Sequence, residues 1–155
     1  MRVYTMTFKN VSVSAVQDLL ALYAGTGGAL EVHEFVLGQN TQTTVGNLRI
    51  SLNRLPATVT AGSGGSAGTL NKSRSGDAGA TITGRTNDTS QATTSGTAVA
   101  VREDVYNPIN GYQFLPAPED RPACNPSEAI IVSLDSAPGS MSSNGSITAA
   151  ELIPA

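Results

Sequence analysis

The chain has 155 residues, 39% hydrophobic, 14% charged and 5% aromatic, with nine Lys and Arg, twelve Asp and Glu, one His, one Cys and no Trp. A net charge of -3 weighs against the basic field that nucleic-acid or membrane-surface binding needs, and a lone Cys excludes an internal disulfide. At this length one domain, residues 1–155, buries enough surface to fold unstapled, and the wealth of Gly, Ser, Thr and Asn favours strands and turns over helices.

In chain order, the opening residues lack the apolar core of a signal peptide, so the expectation is a soluble chain made in a cytosol. Tyr4, Met6 and Phe8 share one parity and Val11 and Val13 the other, which predicts a strand with a bulge or bend near Lys9-Asn10. Residues 14–24 admit two readings. Val16, Leu19, Leu20 and Tyr23 fit helical spacing with Ser14 and Gln17 as a capping box, whereas Leu20 and Leu22 alternate as in a strand. Gly25, Gly27 and Gly28 end the segment either way. Residues 30–37 are dense in β-formers, and Leu48, Ile50 and Leu52 alternate with Asn47, Arg49, Ser51 and Asn53, predicting one buried and one wet face.

Residues 61–96 change character to Gly, Ser, Thr, Asn and Ala, with Leu70 and Ile82 as the sizeable apolar anchors. Alone, such a composition cannot bury enough to order itself, so the tract reads as a long polar loop or as an arm ordered against a partner chain. Strand signals resume at 97–101, 111–115, 128–134 and 146–153, with turn chemistry at Asn110-Gly111, Asn125-Pro126-Ser127 and Asn144-Gly145. Pro116, Pro118 and Pro122 fall between strands, where no ladder donor is needed. The sum is about eight antiparallel strands in an all-β sandwich. Its expected core includes Tyr4, Met6, Phe8, Leu48, Ile50, Leu52, Ile131 and Val132.

Candidate chemistry is sparse. Glu31, His33 and Glu34 combine an imidazole with carboxylates, but on an extended strand Glu34 would point away from the other two. Cys124 with His33 meets the minimum for a thiol nucleophile, without local signs of activation. Gly62, Gly64 and Ala67 match a loose dinucleotide-loop pattern, yet no amphipathic helix follows to hold a pyrophosphate. Lys72-Ser73 lacks the preceding glycine of a P-loop, and Asp77, Asn87 and Asp88 do not have EF-hand spacing. The sequons at Asn10, Asn71, Asn87 and Asn144 are what chance supplies in this composition. The reading is a non-enzyme with no catalytic, cofactor or metal residues.

Several runs together carry a family pattern: Val3-Tyr4-Thr5-Met6-Thr7-Phe8, Ala15-Val16-Gln17-Asp18-Leu19-Leu20, Gly111-Tyr112-Gln113-Phe114-Leu115-Pro116, Pro118-Glu119-Asp120-Arg121-Pro122, and residues 128–134 followed by 146–152. The chain resembles the small jelly-roll proteins of tailed bacteriophages, commonly head decoration or cement proteins. The resemblance implies an antiparallel jelly roll with a strand over 18–23. It implies a homotrimer on the outer capsid surface that clamps subunits of the major capsid protein, made in the host bacterial cytoplasm, without nucleic-acid or membrane partners. Related sequences carry Pro-Gly-Glu before the penultimate strand, where this chain has Pro126-Ser127-Glu128. The alternative is a receptor- or carbohydrate-binding β-sandwich module of a phage tail or head fibre, which would need a concave, aromatic-lined face. A cupin-type enzyme would need two or three convergent His, and the chain has one.

Overall fold

The computed structural model describes residues 1–41, 43 and 46–153, and among these the regular structure is β-strand apart from one 3-10 turn at Pro118–Asp120. The first sheet contains β1 (Arg2–Val13), β3 (Ala29–Gln39), β7 (Asn71–Lys72), β11 (Tyr112–Phe114), β12 (Ala123–Cys124) and β14 (Met141–Leu152), in the order β11-β3-β14-β1-β7 with β12 also on β3. The second contains β2 (Gln17–Tyr23), β4 (Leu48–Leu55), β6 (Ser66–Gly68), β8 (Thr83–Asp88), β10 (Val99–Tyr106) and β13 (Ala129–Leu134), in the order β10-β4-β13-β2-β8-β6. A short ribbon pairs β5 (Val59–Thr60) with β9 (Thr93–Thr94). All strand pairs are antiparallel, and the two large sheets pack as a sandwich around one main core.

The first four strands alternate between sheets, and the last two are inserted among them: β14 lies between β1 and β3, and β13 between β2 and β4. In β1, Tyr4, Met6 and Phe8 point into the core. Asn10 then adopts a left-handed backbone (φ 54°), the register slips between Phe8 and Val11, and Val13 is returned to the buried face. Residues 17–23 form a strand rather than a helix. Their side chains are covered on both faces and the strand is paired on both edges, by β13 and β8, so an amphipathic stripe has no use here.

The outer face of β4 is wet only at its start, where Asn47 and Arg49 are exposed. Leu48, Ile50 and Leu52 enter the main core as the alternation requires, but Ser51 is also buried and Asn53 half-buried. The ribbon covers this side, closing a small second apolar cluster of Ala21, Leu55, Ala129 and Ile131 under Tyr23, Val59 and Ala92. Ile131 is therefore buried against the ribbon, while Val132 lies in the main core. The Asn144-Gly145 pair is not a turn: it sits inside β14. There a Cβ on Gly145 would come within 2.5 Å of the Phe8 ring, so the residue is glycine because an aromatic side chain lies over it. β10 runs through the charged run Arg102-Glu103-Asp104 to Tyr106, farther than its first residues suggest, because an edge strand can carry charges into solvent.

Within this chain, β6, β7, β8 and β9 pair the 61–96 tract with its own strands. Two devices replace the missing apolar anchors. Gly68 and Gly84 face each other across β6 and β8, and a Cβ on either would collide with the Met6 sulfur, so the two glycines form the notch that seats this core side chain. Three buried carboxylates accept hydrogen bonds from backbone N–H groups in or beside the tract. Glu151 accepts from Thr81 (2.9 Å), Ile82 (3.2 Å) and the Thr81 hydroxyl; Asp88 accepts from Gly65 (3.0 Å); Asp18 accepts from Ala92 (2.8 Å). Arg85 forks onto Asp88 at 2.7 and 2.8 Å.

Two substitutions check these assignments. Gly84→Ala should lower the urea midpoint by an amount corresponding to roughly 1–3 kcal/mol, since it overpacks the Met6 notch. Part of that loss should vanish when measured in a Met6→Ala background, because the clash partner is gone. In the turn before β13, Glu128 N–H donates to the Asn125 carbonyl at 3.2 Å and Ser127 holds φ 68°, the third position of a type II turn with Pro126 before it. Ser127→Gly should raise stability by about 0.5–1 kcal/mol in the same assay, as the left-handed penalty is removed and only part is returned as unfolded-state entropy.

Candidate functional site

The Glu31, His33 and Glu34 cluster is arranged differently from the expected strand alternation. The β3–β14 register pairs Glu34 with Thr148 and Val32 with Ala149, leaving His33 as the extra residue of a bulge. Leu30, Val32, Phe35 and Leu37 are buried, so Glu31, His33 and Glu34 all lie away from the core. His33 Nε2 is 3.1 Å from Glu31 Oε1, and the Arg121 guanidinium is 3.4 Å from both. Glu34 instead accepts from the Gln113 amide at 3.2 Å. The group is a half-buried ion-pair set that fastens the 117–122 segment to β3.

The other sequence candidates are scattered into structural roles. Cys124 is buried in the main core, and that burial, with the Glu128 charge adding to it, pushes its thiol up to about 12. Such a thiol is not a nucleophile near neutral pH. Gly62 N–H donates to the Tyr23 hydroxyl at 3.4 Å, Gly64 takes φ 89°, and Ala67 pairs with Arg85 in β6–β8, so the glycine-rich run is a strand entry and not a phosphate cradle. Lys72 pairs with Tyr4, and Ser73 N–H donates to the Val3 carbonyl. Asn87 accepts from the Gln17 amide at 3.0 Å while Asp88 faces Arg85, and Asp77 N–H donates to the Arg74 carbonyl. Among the described residues no three His, Cys, Asp or Glu side chains converge.

Two features missed by motif reading stand out. The first is a cleft of about 420 Å³ on the outer face of the second sheet, floored by Asn53, Leu55, Ile131 and Ser133 and walled by residues 91–94, Gly96 and Ala98, with Asp18 at its base. Asp18 is 3% exposed. Its carboxylate accepts from Ala92 N–H at 2.8 Å, Ser133 Oγ at 2.9 Å and Gln91 Nε2 at 3.2 Å. Burial raises its pKa; the hydrogen bonds from Ala92, Ser133 and Gln91 act against this and the neighbouring Asp88 charge adds to it. Asn53 Nδ2 donates to Ser51 Oγ at 2.8 Å. The available signal was Asp18 itself, an acid set directly before Leu19-Leu20-Ala21-Leu22, where a carboxylate demands partners.

The second feature is the open margin where β10 and β11 end the two sheets. Phe35 stacks between Tyr112 (5.6 Å) and Phe114 (5.2 Å), Arg102 lies 5.3 Å over the Phe114 ring, and the Tyr112 hydroxyl donates to Asp104 at 2.9 Å. Beside this clasp Val101, Val105 and Leu115 are 41%, 54% and 67% exposed. No protein-family model, no curated protein and no solved structure matches the chain.

The Asp18 environment has a pH consequence. Because its folded pKa is raised, Asp18 contributes stability that is present below its unfolded pKa of about 3.9 and lost as pH rises through the higher folded value. Asp18→Asn lacks this titration. In chemical denaturation between about pH 4 and pH 7, the stability difference, variant minus parent, should rise with pH; a flat difference would show that Asp18 does not titrate with a raised pKa.

Proposed function

We propose that the chain is a structural virion protein that binds the outside of a phage capsid as a homotrimer and clamps subunits of the major capsid protein. The jelly-roll character belongs to this same reading. Support comes from the sequence pattern of the phage decoration proteins together with an antiparallel sandwich whose polar tract is tied down. The observation that carries the contact itself is the β10–β11 margin. There the eight-residue edge strand β10, and Leu115 just after β11, leave Val99, Val101, Val105 and Leu115 in solvent beside the aromatic clasp. Apolar side chains grouped at a sheet edge mark protein contact surfaces.

Function of this kind needs no reacting group. Each copy bound across a subunit junction favours the assembled shell by RT ln(1 + [L]/Kd), and a trimer multiplies the effect through its three linked contacts. The tract 61–96 pairs within its own chain, and the margin offers exposed apolar side chains for the contact.

The test uses heads built from the major capsid protein encoded in the same genomic neighbourhood. The parent protein should sediment with the heads, raise their melting temperature and scatter light as a trimer. Leu115→Asp and Val101→Asp should each weaken binding by about tenfold, which is about 1.4 kcal/mol, with the circular dichroism of the parent. A monomer that neither binds heads nor changes their melting would end the proposal.

A further inference from the structure

The outer cleft on the second sheet has a composition that selects its ligand by exclusion. Apart from Asp18, its polar lining is neutral, from Asn53, Gln91, Thr93, Thr94 and Ser133, and no Lys, Arg or His lines it. That is the wrong chemistry for a phosphate or carboxylate, which needs cationic donors. No aromatic ring lines it, so a flat aromatic ligand finds no stacking partner. Asp18, the acid at the base, already accepts three hydrogen bonds from its own chain, so it presents little free charge to a cation.

What the cleft offers is a mixture of donors and acceptors above an apolar floor. The Asn53 amide uses its nitrogen toward Ser51, which leaves its carbonyl oxygen as an acceptor, and the Gln91 amide uses its nitrogen toward Asp18, leaving a second. The Thr93 hydroxyl supplies a group that can donate or accept. Leu55 and Ile131 form the floor. Hydroxyl groups on a saturated ring have this same double character, with C–H faces that pack on aliphatic side chains. The volume of about 420 Å³ falls in the range of roughly 300–1,000 Å³ for small-molecule clefts. The walls are held in place before any ligand arrives, since Ala92 N–H and Gln91 are both tied to Asp18. We propose that this cleft, which lacks the aromatic platform of a dedicated carbohydrate-binding face, binds a neutral polyhydroxylated ligand one or two sugar rings in size through hydrogen bonds and aliphatic contacts alone. The inference stands apart from the shell-binding reading, since the cleft lies on the outer face of the second sheet and uses none of the margin residues.

The experiment is a titration of the isotope-labelled full chain, followed by amide NMR, with glucose, galactose, N-acetylglucosamine, maltose, cellobiose and lactose in turn, and with inorganic phosphate as the charged probe. At least one sugar should give saturable shifts at the amides of Asn53, Ala92, Thr93 and Ser133, with a dissociation constant on the order of 1 mM. Asn53→Ala on the floor and Thr93→Val in the wall should each weaken binding by about tenfold and leave head binding unchanged. If Asn53→Ala disturbs the fold through its bond to Ser51, Thr93→Val alone decides. The proposal is overturned if no sugar shifts these amides at about twenty times that concentration, if phosphate shifts them in place of sugars, or if the folded variants bind as tightly as the parent.

Discussion

The two C-terminal strands hold the sandwich together. β14 is the only bridge between β1 and β3 among the described pairings, and β13 is the only bridge between β2 and β4. Without them β1 keeps only the short β7 beside it, β2 only β8, β3 only β11 and β12, and β4 only β10, so each sheet falls into two separate halves. The arrangement concentrates burial at the centre: all six residues of β13 are buried, with Ile130, Val132 and Leu134 facing the main core and Ala129 and Ile131 facing the ribbon. A strand covered on both faces and paired on both edges leaves little room for local unfolding, so loss of the centre and loss of the whole fold become one event.

Around that centre, polar groups do the work that apolar side chains cannot. The tract between β5 and β10 has too few large residues to bury itself, and its order comes from carboxylates that sit in the sandwich and reach outward. Glu151 is fully buried and satisfied by the 81–82 backbone, Asp88 by Gly65 and Arg85, and Asp18 by residues 91–92. Each accepts from N–H groups that would otherwise be unpaired, and a buried charge with several good donors is far cheaper than one without. The glycines complete the arrangement by allowing close approach where a side chain would collide.

How far the sequence disclosed this fold depends on the range of the interaction concerned. The alternation of Tyr4, Met6 and Phe8, the bend at Asn10 and the inward set Leu48, Ile50 and Leu52 are local patterns, and they read directly as strands. Asn10 in particular combines a parity change with a residue that tolerates a left-handed backbone. The failures involve partners distant in sequence. Asn144-Gly145 has the chemistry of a hairpin turn, and only the Phe8 ring, placed by the β1–β14 register, shows why it lies within a strand. β8 has no apolar alternation to announce it, because the Met6 notch and the Asp88–Arg85 pair define it. The cleft was invisible for the same reason: Asp18, Asn53, Gln91 and Ser133 are joined by register and ribbon, not by spacing.

The late position of β13 and β14 also shapes the chain's life on the ribosome. Until both strands have emerged, the facing edges of β1 and β3, and of β2 and β4, have nothing between them and stay open as aggregation-prone edges. Closure of both sheets thus waits for residues 129–152, and a chain interrupted before them exposes four open strand edges at once.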